Sequence, residues 1–238
     1  MLMRLDRLLS RAGVCSRSES ERLIRSGAVR VNGAAARSGA EKYDPESAEI
    51  TVGGAPVRLR SRVCLMLHKP AGVLSATEDA RQKTVLDLLE GPYARMRLFP
   101  VGRLDKDTEG LLLLTDDGDL AHRVISPKKD VVKLYYAETG GRLTEEDAAA
   151  FAEGLTLGDG TRCLPAKLTV LSSGGPGAAL VAVREGKYHQ VRRMLASRGA
   201  PVTRLKRLAV GGLRLDESLA PGEYRELTEE EISSIFIK

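Results

Sequence analysis

Leu111 to Leu114 form an unbroken run of leucines inside GRLDKDTEGLLLLTDDGD, residues 102–119, a stretch that also carries six acidic side chains. An apolar run this short, bounded by polar turn-formers, reads as a buried strand. The acids on either side must therefore sit in loops at its two ends, in a fold that buries a strand and still presents charge beside it.

Four uses of these acids compete. Asp105, Asp107, Glu109 and Gly110 match positions 1, 3, 5 and 6 of a calcium-binding EF-hand loop, with Asp116 at position 12. Leu113 would then occupy a ligand position and the long bidentate glutamate is missing, which argues against calcium. A phosphoryl-accepting D-x-D-x-T loop needs an apolar strand leading into its first aspartate, whereas here the strand follows the acids and Thr108 comes one residue early. Asp116, Asp117 and Asp119 read as a polar turn. That leaves Gly102-Arg103-Leu104-Asp105, where Gly102 permits close backbone approach. Arg103, two residues from Asp105, would favour the ionised form of a carboxylate nucleophile.

A length of 238 residues allows one large domain or two smaller ones, and 42% hydrophobic with 29% charged residues fits a soluble globular protein. No apolar run approaches the ~20 residues needed to cross a bilayer. The N-terminal MLMRLDRLLSRAG has no apolar segment followed by a small-residue cleavage site, so the chain is expected to stay in the cytoplasm. Cys15, Cys64 and Cys163, like His68, His122 and His189, are too scattered for a disulfide framework or a zinc site.

The net charge of +5 is unevenly spread: residues 1–62 hold 12 Lys+Arg against 7 Asp+Glu, and the remaining 176 residues hold 25 of each. A basic recognition module followed by a larger body is the expected plan. Leu5, Leu8, Leu9 and Ala12 recur at helical spacing with Arg4, Arg7 and Arg11 opposite. Ser18 and Glu21 match a capping box for a second helix, Glu19 to Arg25, which would add Arg22 and Arg25. The strand AVRV and an Asn32-Gly33 turn follow, then a strand from Glu49 to Val52. Arginines on two neighbouring helices suit phosphate oxygens.

From residue 63 short strands dominate, VCLML, GVLSA, LLLLT, LYYAET, AKLTV and ALVAVRE, with helices from Leu143 to Glu153, His189 to Ser197 and Glu229 to Phe236. The expected class is α+β, with a domain at 1–60 and a second at 61–238 built on a mixed, largely antiparallel sheet. A second basic run, Lys187 to Arg214, has eight basic residues and no acid.

RLDRLLSRAGVCSRSESERLIRSGAVRVNG resembles an S4 domain, a small module that grips structured RNA by shape and backbone. GRLDKDTEGLLLLTDDG resembles the G-R-L-D-x-x-T-x-G-L-L-L-x-T motif of the RsuA-type family of ribosomal RNA pseudouridine synthases. LMLHKPAGVLS, VVKLYYAE and EGKYHQVRRML resemble that family's other motifs, in order, and LAVGGLRLDESLAPGEYRELTEEE its closing segment.

The resemblance implies a pseudouridine synthase fold with an active-site cleft and a redox-neutral isomerisation that needs no cofactor and no metal. It implies Asp105 as the catalytic carboxylate, Tyr135 stacked on the target uracil, and Arg192 paired with Asp105. Tyr136 should face the other side of the strand, and remains a lesser alternative to Tyr135. Lys69, Arg103 and Lys187 would hold flanking phosphates beside the S4 arginines Arg4, Arg7, Arg11, Arg22 and Arg25. The implied partner of a monomeric enzyme is ribosomal RNA. The wording EGKYHQVRR is most similar to the branch acting on 16S rRNA, with 23S rRNA as the alternative and a non-catalytic RNA-binding protein as the distant one.

Overall fold

Leu5, Leu8 and Leu9 are buried, so the helix Leu5–Arg11 turns a single apolar stripe inward and leaves Arg4 and Arg7 in solvent. It opens the first of two units in the computed structural model, which describes residues 2–57, 62–172 and 176–237. The first unit comprises Met1–Val63 and Leu86–Phe99; the second comprises Cys64–Val85 and Pro100–Lys238.

In the first unit a second helix, Arg17–Arg25, packs with the first over a four-stranded antiparallel sheet of order Ala34–Ala35, Val29–Val31, Ile50–Val52, Ala55–Val57. Ile24, Val29, Val31 and Ile50 close the core with the three leucines. Asn32, in the left-handed region at φ 49°, makes the expected hairpin turn with Gly33. Its side-chain oxygen also accepts from Glu49 N at 2.9 Å.

The cap of the second helix lies two residues before the expected one. Ser16 Oγ accepts from Glu19 N at 3.3 Å and Glu19 Oε2 accepts from Ser16 N at 2.8 Å, so the box is Ser16/Glu19 rather than Ser18/Glu21. Two S-x-x-E windows overlap here, and the earlier one lengthens the helix. The expected boundary at residue 60 lies outside the described residues. Leu86–Phe99, expected in the second domain, instead groups with the first unit, where Arg95 Nη1 donates to Val14 O at 3.3 Å.

The second unit is α+β. Its sheet runs in the order Lys167–Ser172, Gly177–Val183, Lys133–Thr139, Val202–Val210, Thr108–Thr115, Cys64–Lys69, Tyr224–Glu226. Every neighbouring pair in that path is antiparallel except Val202–Val210 against Thr108–Thr115, which is parallel. Leu111 to Leu114 are at most 1% exposed, each contributing about 2 kcal/mol of burial. The helices Glu145–Glu153 and Gln190–Ala196 cover one sheet face. Their Phe151, Val191, Met194 and Leu195 share a core with Ala137, Val181 and Leu205, and Tyr135 packs against it.

At Gly110 (φ +105°) a Cβ would lie 2.2 Å from Arg207 O, so only glycine lets the parallel strands close at this register.

Three sequence expectations change. GVLSA is not a strand; it contributes one bridge, Leu74 to Thr84, and its Ser75 is committed to Leu104. The Asp-Asp-Gly-Asp turn is instead the head of a helix, Gly118–Ile125, with Asp117 Oδ1 accepting from Asp119 N and Leu120 N. The second basic run contains the long strand Val202–Val210, and Arg207 within it is buried, donating Nε to Leu111 O at 2.8 Å.

Candidate active site

Asp105 sits in the loop that enters the Thr108–Thr115 strand, and that loop is fastened from several sides. Thr108 N donates to Asp105 O at 3.0 Å, closing a tight turn around the aspartate. Ser75 and Leu104 bond reciprocally, the hydroxyl donating to Leu104 O at 2.9 Å and accepting from Leu104 N at 3.1 Å. Lys106 O accepts from Gly72 N at 2.9 Å. Gly102 adopts φ +74°, and a Cβ there would meet only Ile125 Cγ1 at 3.7 Å. Its role is therefore backbone conformation and not the close approach expected from the sequence.

Lys69 supplies the strongest fastening. It is 0% exposed, and its ammonium donates to Pro70 O at 3.0 Å, Lys106 O at 3.0 Å and Thr108 O at 2.9 Å. All three ammonium protons thus have carbonyl acceptors, which is what a buried cation requires. Burial pushes the lysine down to about 8, against the opposing charges of Asp107, Asp105 and Glu109. The expectation that Lys69 holds an RNA phosphate is corrected: a cation with no exposed surface and three acceptors serves the loop.

Two basic side chains converge on the carboxylate. Arg192 Nε lies 3.6 Å from Asp105 Oδ2, and His189 Nε2 lies 3.5 Å from Asp105 Oδ1. Arg192 also reaches the loop backbone, its Nη2 donating to Asp107 O at 3.3 Å. Both residues come from the head of the Gln190–Ala196 helix, where His189 is held in the left-handed region at φ 47°. Arg103, the neighbour expected to charge-balance Asp105, makes no ion pair with it among the described residues and is exposed at the rim. The cleft is lined by Asp105, Thr108, Tyr135, Lys187, His189 and Leu205 among others, so Asp105 and Tyr135 face one space. Tyr136 does not line it. Arg192 reaches the same carboxylate from the helix.

His189 is the residue that sequence reasoning left out. It was visible as the histidine of H-Q-V-R, but nothing in the spacing says that a left-handed residue would swing its ring onto Asp105.

The expected RNA-contacting residues divide. Arg7 and Arg22 are exposed and make no ion pair among the described residues. Arg4 is paired with Asp6 at 2.8 Å and Arg25 with Glu21 at 3.0 Å, while Arg11 Nη1 contacts Met3 Sδ at 3.8 Å. Lys187 is half-buried at the cleft wall, donating to Arg162 O and pairing with Glu185 at 2.9 Å. The acids of residues 102–119 do not converge on a cation site: among the described residues no group of three or more His, Cys, Asp or Glu is placed to hold a metal ion. The three cysteines are buried and free.

Comparison with known proteins agrees along the whole chain. The RNA pseudouridylate synthase family matches residues 63–197, and the S4 domain matches residues 3–50. A Bacillus subtilis (strain 168) protein, YtzG, named as an uncharacterized RNA pseudouridine synthase, is 48% identical over 231 residues, 97% of each chain. The ribosomal small subunit pseudouridine synthase A of Vibrio cholerae is 42% identical over 98% of this chain and 100% of its own. A crystal structure of a pseudouridylate synthase, 36% identical, superposes with a TM-score of 0.68 over 98% of this chain and 99% of that one. With its S4 domain, its mixed sheet and its R-L-D loop, the chain belongs to the RsuA-type members of the RNA pseudouridylate synthase family.

Proposed function

We propose that the protein converts one uridine of 16S ribosomal RNA into pseudouridine, acting as a monomer in the cytoplasm. The observation that carries the reading is the convergence of Asp105, Arg192 and His189 beside Tyr135 in one cleft, in a chain similar over its whole length to enzymes named for the small ribosomal subunit. In this reaction the C1′–N1 bond of uridine breaks, the uracil turns, and C1′ bonds to C5. The C5 proton is lost and N1 recovers one, so electrons and atoms balance without an external reagent.

A base inside a paired helix is out of reach, so the nucleotide must be turned out into the cleft. There the Tyr135 ring stacks on the uracil. Asp105 acts as the carboxylate at the sugar or the base, with Arg192 beside it. Arg103 and Lys187 lie at the cleft and serve flanking phosphates, and the exposed S4 arginines, Arg7 and Arg22 foremost, grip the RNA backbone. Arg4, Arg11 and Arg25 join them once their intramolecular partners are exchanged for phosphate.

The test is carbodiimide mapping of pseudouridines in both ribosomal RNAs from a strain lacking this gene. One site should vanish from 16S rRNA and return on complementation. Loss of a 23S site instead would move the enzyme to the other subunit, and an unchanged map in both RNAs would overturn the reading.

A further inference from the structure

The loop joining the strand Gly177–Val183 to the helix Gln190–Ala196 is rigid at its base and open at its tip. Buried Gln190 accepts from Lys187 N at 3.0 Å and donates to Glu185 Oε1 at 3.0 Å, and the same carboxylate oxygen accepts from Leu164 N at 2.8 Å. On this fixed base Tyr188 is 75% exposed. Its hydroxyl makes no hydrogen bond among the described residues, and one face of its ring stacks on His189, centroids 3.9 Å apart and planes inclined by 16°. His189 in turn stands 3.5 Å from the Asp105 carboxylate.

A large aromatic held in solvent by a preorganised loop gains nothing from burial, and a tyrosine placed this way is suited to receive a flat partner. One stacked ring and one side-chain contact separate it from Asp105, so whatever it receives lies next to the reacting nucleotide. Turning a uridine out of a helix leaves its neighbours without their stacking partner, and an aromatic ring at the cleft mouth replaces it at little entropic cost. We propose that Tyr188, backed by His189, is a stacking subsite for the nucleobase adjacent to the target uridine in the same RNA strand. This rests on the pseudouridine synthase reading above. The subsite recognises a π-face and not a charge, so it adds affinity without adding salt dependence.

The test uses the full chain as wild type, Tyr188→Ala, Tyr188→Phe and Asp105→Asn, with a 16S rRNA transcript as probe. Tyr188→Ala should weaken RNA binding about 10-fold, within the range of one base stack, with an unchanged slope of log affinity against log salt. Tyr188→Phe, which keeps the ring, should bind within about 2-fold of wild type. In a short RNA spanning the modified site, 2-aminopurine 5′ or 3′ of the uridine should be quenched by Asp105→Asn protein and not when Tyr188→Ala is added to that variant. Alanine binding as tightly as wild type, phenylalanine as weak as alanine, or no quenching at either flank would each overturn the subsite. A wild type that forms no pseudouridine in the transcript would instead overturn the functional reading on which it rests.

Discussion

At the scale of single residues, the loop that carries the Asp105 carboxylate is held by a buried ammonium. Lys69→Met removes the donor to two carbonyls of the Asp105 loop, Lys106 O and Thr108 O, and to Pro70 O, and a misplacement of about 1 Å costs on the order of 100-fold in turnover. The expected result in single-turnover assays is a fall of that size with RNA affinity within about 3-fold; equal losses in both would contradict a purely positioning role. The lysine also makes a signed pH prediction. It titrates at about 8 in the folded chain against an ordinary 10.5, so the folded protein sheds the proton first. The cost of burying the charge is fully present below about pH 8 and is relieved as pH rises toward 10.5. Wild type should therefore gain stability relative to Lys69→Met across that window in urea midpoints, while its turnover falls as the loop loses a proton donor. Stability and activity moving together would contradict the assignment. That Asp105, Tyr135 and Arg192 come together was legible from motif wording, because each is a distinctive letter in a fixed frame. Lys69 was misread as a phosphate contact, since K-P-A-G looks like an exposed turn and burial of a lysine leaves no mark in local sequence.

At the scale of elements, the parallel pair Thr108–Thr115 and Val202–Val210 carries the Asp105 loop on its end. Gly110 is the point where it is most sensitive. Gly110→Ala puts a methyl group 2.2 Å from Arg207 O in a backbone conformation that alanine rarely adopts, so a loss on the order of 3 kcal/mol is expected in chemical denaturation. An unchanged midpoint would contradict the tight register. The leucine run announced its strand because four consecutive apolar residues can be satisfied only by burial. The Val202–Val210 strand was hidden because Arg204, Lys206 and Arg207 make it read as a basic surface, although Leu205, Arg207 and Ala209 all point to buried positions. Asp117 was hidden for a different reason: Asp-Gly is as good a turn as it is a helix cap, and only the buried Leu120, Ala121 and Val124 that follow decide between them.

At the scale of the whole molecule, the net positive charge lies in residues 1–62 and the Asp105 cleft in the second unit. A shift in net charge near residue 62 is legible in the sequence, but the grouping of Leu86–Phe99 with the first unit is not, because a chain excursion leaves no compositional trace. Arg7 and Arg22 are exposed on neighbouring helices, and each replaced by alanine should reduce the slope of log affinity against log salt by about 1 while leaving turnover at saturating RNA unchanged. No change in slope would remove them from the RNA-binding surface. Asp105→Asn tests the proposed role of this carboxylate most directly, because the amide keeps the shape of the loop and removes only the charge. Incubated with ribosomal RNA, this variant should form no detectable pseudouridine while binding the RNA within a few-fold of wild type; turnover near the wild-type rate would contradict the account.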